Sequence, residues 1–242
     1  MNTVKLNNGV EMPQMGYGVY QVSPAECERC VTDALSVGYR MIDTAQAYHN
    51  EEGVGNAVRR SGINRKEIFL VSKVWISNYG YEKAKASIDE SLRKLQTDYI
   101  DLMLLHQPFC DRYGAYRALE EAYKEGKLRA IGVSNFYPDH FIDIASNMEI
   151  VPAVNQVETH VFDQQIELFA DFGRFGQDGR FVLPFFLLLG VGKKEEETSA
   201  FRFRAFGPDA TVMLQNDGAC QAKPDACTGN LPVYIFLRTV ER

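Results

Sequence analysis

Along the first two thirds of the chain, short apolar runs alternate with longer stretches whose apolar residues recur every three or four positions. The short runs, of strand length, are Tyr39 to Thr44, Ile68 to Val74, Ile100 to His106, Ala130 to Ser134 and Ala153 to Glu158. Between them the amphipathic period predicts helices over Pro24 to Gly38, Glu51 to Arg60, Tyr81 to Leu95, Tyr113 to Glu125 and Pro138 to Ser146. Ser23 has the chemistry of an N-cap for the first of these, and Gly38 and Gly126 are stop signals. Ahead of them, V-K-L-N-N-G-V-E-M-P reads as a two-stranded hairpin turning at Asn8-Gly9 or Asn7-Asn8. Gln14 to Tyr20 reads as a further strand, with glycines where a backbone approaches something closely. Repeated β-α units with short connections imply a parallel sheet with right-handed crossovers. The reading is an α/β fold, a TIM-type (β/α)8 barrel with an N-terminal β-hairpin, recognisable through six strands. A doubly wound dinucleotide fold would carry G-x-G-x-x-G early on, and this chain does not.

Polar residues punctuate the strand ends. G-Y-R-M-I-D-T-A-Q-A-Y closes an apolar strand with Asp43 and brings Tyr48 five residues later. A phenol is a weak acid, with an ordinary pKa of about 10, so it needs a cation beside it to exchange protons usefully. Lys73 closes I-F-L-V-S-K, and His106 closes Y-I-D-L-M-L-L-H. Alone, Asp43 or Lys73 reads as a salt-bridged strand end, His106 as a capped loop residue, and Tyr48 as a packing aromatic. Ser134-Asn135 alone reads as a turn or helix cap. Together, at the tips of successive strands, they read as a site.

Composition narrows the setting. The net charge of −6 argues against nucleic acid or an anionic membrane as main partner. No charged-then-apolar leader opens the chain, and the longest apolar run, Phe181 to Val191, is too short to span a bilayer. A cytoplasmic protein is expected. Five cysteines fit a reducing compartment better than a disulfide framework. Cys27 and Cys30 form a C-x-x-C pair inside a helix, where plain helix residues are the favoured reading. Cys220 and Cys227 lack further ligands nearby, and no metal site is assigned. His49, His140 and His160 are taken as surface or structural residues.

The segments G-Y-R-M-I-D-T-A-Q-A-Y, S-K-V-W, D-L-M-L-L-H-Q-P, G-K-L-R-A-I-G-V-S-N-F and P-A-V-N-Q-V-E-T-H, in this order, resemble the aldo-keto reductases. These are NADPH-dependent reductases on a TIM-type barrel, and the likeness is nearest to bacterial reductases of the diketogluconate-reductase type. It covers Val4 to about Glu167. The resemblance implies reduction of an aldehyde or ketone to an alcohol, with Tyr48 as general acid. Lys73 and Asp43 would form the pair behind it, the ammonium lowering the phenol's pKa. His106 would donate a hydrogen bond to the same substrate oxygen. Ser134, Asn135 and Gln156 match the positions that hold the nicotinamide carboxamide, and Asp43 belongs to the same cofactor side. Gly18, Val19 and Tyr20 match the first loop, near cofactor and substrate. Trp75 matches an aromatic wall of the substrate pocket, which Tyr20, Tyr48 and His106 share. The implied partner is a small carbonyl compound, and a monomer is the family-level expectation.

After Gln164-Gln165-Ile166-Glu167 the pattern changes. A family member continues toward a strand such as S-W-G-P-F, then an eighth strand near I-P-K-S and an arginine for the adenosine phosphate. This chain has neither segment. Ten of the fifteen phenylalanines fall between Phe169 and Arg242, against one isoleucine, Ile235. The expected division is therefore 1–167, a partial reductase barrel, and 168–242, a segment foreign to the family, frameshifted or poorly ordered, with the last two β/α units missing or aberrant. A shifted reading frame, a divergent module and a non-catalytic relic are three readings of it. Lys193, Lys194, Arg202 and Arg204 would replace the phosphate clamp only by coincidence. The alternative function is a truncated, catalytically inactive barrel fragment with at most an interaction role.

Overall fold

The computed structural model describes residues 2–158 and, beyond them, the backbone of three strands. The chain opens on the antiparallel hairpin β1 (Thr3–Lys5) and β2 (Glu11–Pro13), with Thr3 opposite Pro13 and Lys5 opposite Glu11. The Gly9 N–H donates to the Leu6 carbonyl at 2.9 Å, which places the turn at Asn7-Asn8, and Gly9 follows it at φ +85°, a left-handed conformation that favours glycine. Then follow β3 (Tyr17–Gly18), α1 (Pro24–Ser36), β4 (Met41–Asp43), α2 (Glu51–Arg60), β5 (Phe69–Val74) and α3 (Tyr81–Leu95). The series continues through β6 (Leu102–Leu105), α4 (Arg112–Lys124), β7 (Ile131–Ser134), α5 (Pro138–Asn147) and β8 (Val154–Glu158). Helix bounds follow the amphipathic period closely. The strands are shorter than their apolar runs because Ile68, Ile100, Ala130 and Ala153 are buried just outside the ladder. At the start of α1 the Ser23 hydroxyl makes no cap hydrogen bond and instead donates to Glu26 at 2.7 Å.

The backbone strands beyond residue 158 are β9 (Phe185–Val191), β10 (Ala210–Val212) and β11 (Pro232–Thr239). The nine-stranded sheet runs β10-β11-β9-β8-β7-β6-β5-β4-β3. It is parallel from β3 to β9 and antiparallel at β9–β11 and β11–β10. The six expected barrel strands are thus present in order, and the sheet stays parallel as far as β9 before turning antiparallel. Strands β9 and β11 were not foreseen, since an unbroken apolar run carries no period by which to tell strand from helix. The 167/168 boundary, His160, Cys220, Cys227, Lys193, Lys194, Arg202 and Arg204 lie outside the described residues.

The parity of the strands divides the core in two. Met41, Phe69, Val71, Leu102, Leu104 and Val154 point to the inside of the curled sheet and pack with Val4, Leu6 and Met12 of the hairpin, which floors the barrel. Ile42, Leu70, Val74, Met103, Leu105, Ile131 and Val133 point outward to the apolar stripes of the helices. Because side chains alternate along a strand, the inward parity continues upward to Asp43, Lys73, His106, Ser134 and Gln156. Every one of these stands one pleat above an inner-layer position, at the open, C-terminal end of the parallel strands. Among the described residues no helix is long and apolar enough to cross a membrane.

Candidate active site

Lys73 is the centre of the site. Its side chain is fully buried, which is costly for an ammonium unless every N–H finds an acceptor. Three acceptors surround Nζ: Asp43 Oδ1, with which it forms a buried ion pair, the Thr44 carbonyl at 3.0 Å, and the Tyr48 phenol oxygen at 3.4 Å. An ammonium has three donors, so Lys73 is saturated. Burial favours the neutral amine, yet Asp43 and Tyr48 outweigh it, and the lysine pKa is raised. Asp43 is bound on both sides, because its Oδ2 accepts from Gln156 Nε2 at 2.7 Å.

Tyr48 comes from the turn Gln46–Tyr48, a single 3-10 turn directly above β4. Lys73 pulls its pKa down, as the resemblance implies, but burial has the larger effect and the net shift is upward. The expected lowering is therefore corrected. Asp43 already neutralises the lysine and itself adds to the rise. The consequence is chemical: the phenol stays protonated at neutral pH and, since its oxygen accepts from Lys73, its own proton is free to be given.

His106 lies across the mouth, its ring 5.8 Å from that of Tyr48 and 5.0 Å from that of Trp75. Burial, with Lys73 adding to it, pushes its pKa down to about 3, so the imidazole is neutral near pH 7 and carries one N–H. Its Nδ1 is buried without a partner among the described residues. Tyr20 stacks obliquely 5.2 Å from Tyr48 and remains 45% exposed, which makes it a wall of the mouth.

The remaining predicted residues divide by what they present. Gly18 pairs with Asp43 along β3–β4. Val19 approaches only through its backbone, whose N–H donates to the Asp43 carbonyl at 3.0 Å, while its side chain belongs to the outer core. Ser134 Oγ donates to the Gln156 carbonyl at 3.0 Å, and Asn135 Nδ2 to the His106 carbonyl at 3.1 Å. Asn135 holds a left-handed φ of 61°. Gln156 keeps one buried acceptor, Oε1, without a partner among the described residues. His49 closes the turn that carries Tyr48 at a left-handed φ of 57°, His140 lies edge-on to Phe136 at 6.4 Å, and burial pushes the Cys27 thiol up to about 12, which leaves it inert.

Two contributors escaped sequence reasoning. Asn50, placed like an N-cap for α2, makes no cap bond. It accepts from Thr44 Oγ1 at 2.7 Å and donates to the Val19 and Val22 carbonyls at 2.9 and 3.0 Å, tying the first loop to the tip of β4. Gln46 is the other. Its amide reaches α3 and the loop after β5, contacts that nothing in a linear motif displays.

The aldo/keto reductase family model matches residues 8–177, past the Glu167 at which the motifs end. The chain belongs to the aldo/keto reductase family. It is 51% identical over 169 residues to the glyoxal reductase of Bacillus subtilis, covering 69% of this chain and 61% of that protein. It is 44% identical over 170 residues to the morphine 6-dehydrogenase of Pseudomonas putida, covering 69% of this chain and 57% of the other. The chain thus spans about three fifths of the length of these curated relatives. Among solved structures, an aldo/keto reductase from Brucella melitensis superposes with a TM-score of 0.69 at 45% identity, over 72% of this chain and 69% of that one. A Bombyx mori aldo-keto reductase in complex with NADP gives 0.68 at 31% identity, over 72% and 64%.

Proposed function

We propose that this member of the family reduces a small aldehyde or ketone to the alcohol, with NADPH as cofactor and Tyr48 as the proton donor. The observation that carries the reading is the saturation of Lys73. With its three donors spent on Asp43, Thr44 and Tyr48, the ammonium holds the phenol by its oxygen, and among the described residues no acceptor takes the phenol proton. As that proton leaves, the oxygen becomes anionic beside a cation already in place, which stabilises the phenolate without reorganisation. The neutral His106 orients the carbonyl by donating its one N–H to the same oxygen.

The residues present fit the nicotinamide end of the cofactor. Gln156 Oε1 is a buried acceptor in need of an N–H, and its amide is held in that sense by Asp43. Gln156, with Ser134 and Asn135 bracing it, would hold the carboxamide. When bound, NADPH supplies the hydride. The free state of Cys27, Cys30 and Cys110 supports a cytoplasmic setting, and we read the protein as a monomer.

Tyr48→Phe tests the assignment. Turnover of a generic aldehyde should fall about a hundred- to ten-thousandfold, the range for loss of a positioned acid. NADPH titration by protein fluorescence should be unchanged. Retained turnover overturns Tyr48 as the acid. A second reading, an inactive barrel fragment, is favoured by the sequence after residue 177, which the family model does not match. For that reading the unaltered chain neither oxidises NADPH in the presence of an aldehyde nor shows quenching on titration.

A further inference from the structure

We infer that Gln46 is a positioning residue that locks the turn carrying Tyr48 to the loop carrying Trp75, its amide oriented by the Ser87 carbonyl on one side and the Trp75 N–H on the other. The functional half of this inference rests on the reading of the site as a carbonyl reductase.

The chain of donors can be followed group by group. Glu51, the first residue of α2, is buried, and its carboxylate accepts from Ser72 Oγ at 2.7 Å and from the Ser91 hydroxyl. Ser91, fully buried on α3, lies beside that carboxylate and has a single proton to give. Its oxygen accepts from Gln46 Nε2 at 3.1 Å. The second Nε2 proton goes to the Ser87 carbonyl, also at 3.1 Å.

With its NH2 turned toward α3, Gln46 must turn its carbonyl the other way. There Oε1 accepts from the Trp75 backbone N–H at 3.0 Å and from Asn78 Nδ2 at 2.9 Å. All four hydrogen-bonding positions of the amide are used. The Ser87 carbonyl can only accept and the Trp75 N–H can only donate, so the Gln46 amide has one orientation, and Gln46 determines where the Trp75 peptide sits. Because Gln46 and Tyr48 share one short turn, the aromatic wall and the phenol are held in a single frame.

Trp75 is the only tryptophan of the chain, so its fluorescence reads this loop without any need for turnover. Gln46→Met keeps the side-chain length and removes the four hydrogen bonds. We expect its tryptophan emission to shift red and its acrylamide-quenching slope to rise, with far-UV circular dichroism unchanged. Catalytic efficiency toward an aldehyde should drop about tenfold, the equivalent of one hydrogen bond, with KM for a bulky aldehyde affected most. Ser91→Ala should change the tryptophan signal in the same direction and by less. If Gln46→Met yields no soluble protein, Ser91→Ala carries the test alone.

Met12→Ala, at the opposite end of the barrel, is the control for general loosening. A tryptophan signal in Gln46→Met and Ser91→Ala equal to that of the unaltered protein overturns the proposal, and so does an equal change in Met12→Ala. An active Tyr48→Phe would sink the proposed function and leave the Trp75 result standing on its own.

Discussion

At the scale of single residues, the site is explained by counting donors and acceptors. Lys73 can remain charged in a dry interior because three oxygens meet its three protons. Removal of the Asp43 carboxylate leaves an unpaired buried charge, which is far costlier than the pair is favourable. His106 takes the opposite course and gives up its charge. Its pKa is about 3 in the fold against an ordinary 6.5, so below about 6.5 the unfolded chain binds a proton that the native one refuses. Stability therefore falls as pH drops from about 6.5 toward about 3. His106→Gln removes this sensitivity. Between neutral pH and about pH 4.5 the unaltered protein should lose about 2–3 kcal/mol more than the variant, measured by urea unfolding. Equal losses in the two proteins would show that His106 is not held neutral by the fold.

Between elements, close approach of backbones decides where the strand tips stand. Helix α2 lies against the C-terminal end of α3 at Gly55. A Cβ there would meet the Lys94 carbonyl oxygen at 2.6 Å and Leu95 backbone atoms at 2.8 Å, none of which can rotate away. Gly55→Ala gains some helix propensity yet should destabilise the protein by about 1–3 kcal/mol, the usual cost of overpacking, seen as a lower urea midpoint. An unchanged midpoint would mean that α2 and α3 can part without loss. Strand parity is the second device at this scale. Inward-facing Met41, Val71, Leu104 and Val154 each precede, two residues on, Asp43, Lys73, His106 and Gln156. One alternation therefore builds the inner core and the site above it.

Across the whole molecule, the two ends of the barrel are specialised. The lower end is closed by the hairpin, with Met12 fully buried, and by Asp101, whose buried carboxylate takes Arg65, Arg129 and the Leu70 N–H. The upper end carries the polar tips. Met12→Ala should cost about 2–5 kcal/mol of stability through the cavity it leaves, while kcat for a generic aldehyde stays as it was. A fall in kcat at a temperature where the variant is fully folded would show that the floor and the site are coupled. At this scale the chain also differs from its relatives. It spans about three fifths of their length, and its sheet turns antiparallel after β9.

Much of this was legible in the linear order of residues. The helices follow the amphipathic period, and the tips follow the apolar runs, because both patterns record which side of an element faces the core. Asp43, Tyr48, Lys73 and His106 were legible as a set, since each closes or follows a strand whose C-terminal end must share one rim in a parallel barrel. The net direction of the Tyr48 pKa was not, for it depends on how deeply the phenol is buried. The roles of Asn50 and Gln46 were not, because a side-chain amide can cap, bridge or face solvent according to what folds against it. Val19 joins the site by its backbone, which no side-chain motif reveals. Sequence alone determines which groups arrive at the rim, through strand period and chain order. Tertiary structure alone decides which proton goes to which oxygen, because that is set by distances between elements far apart in the chain.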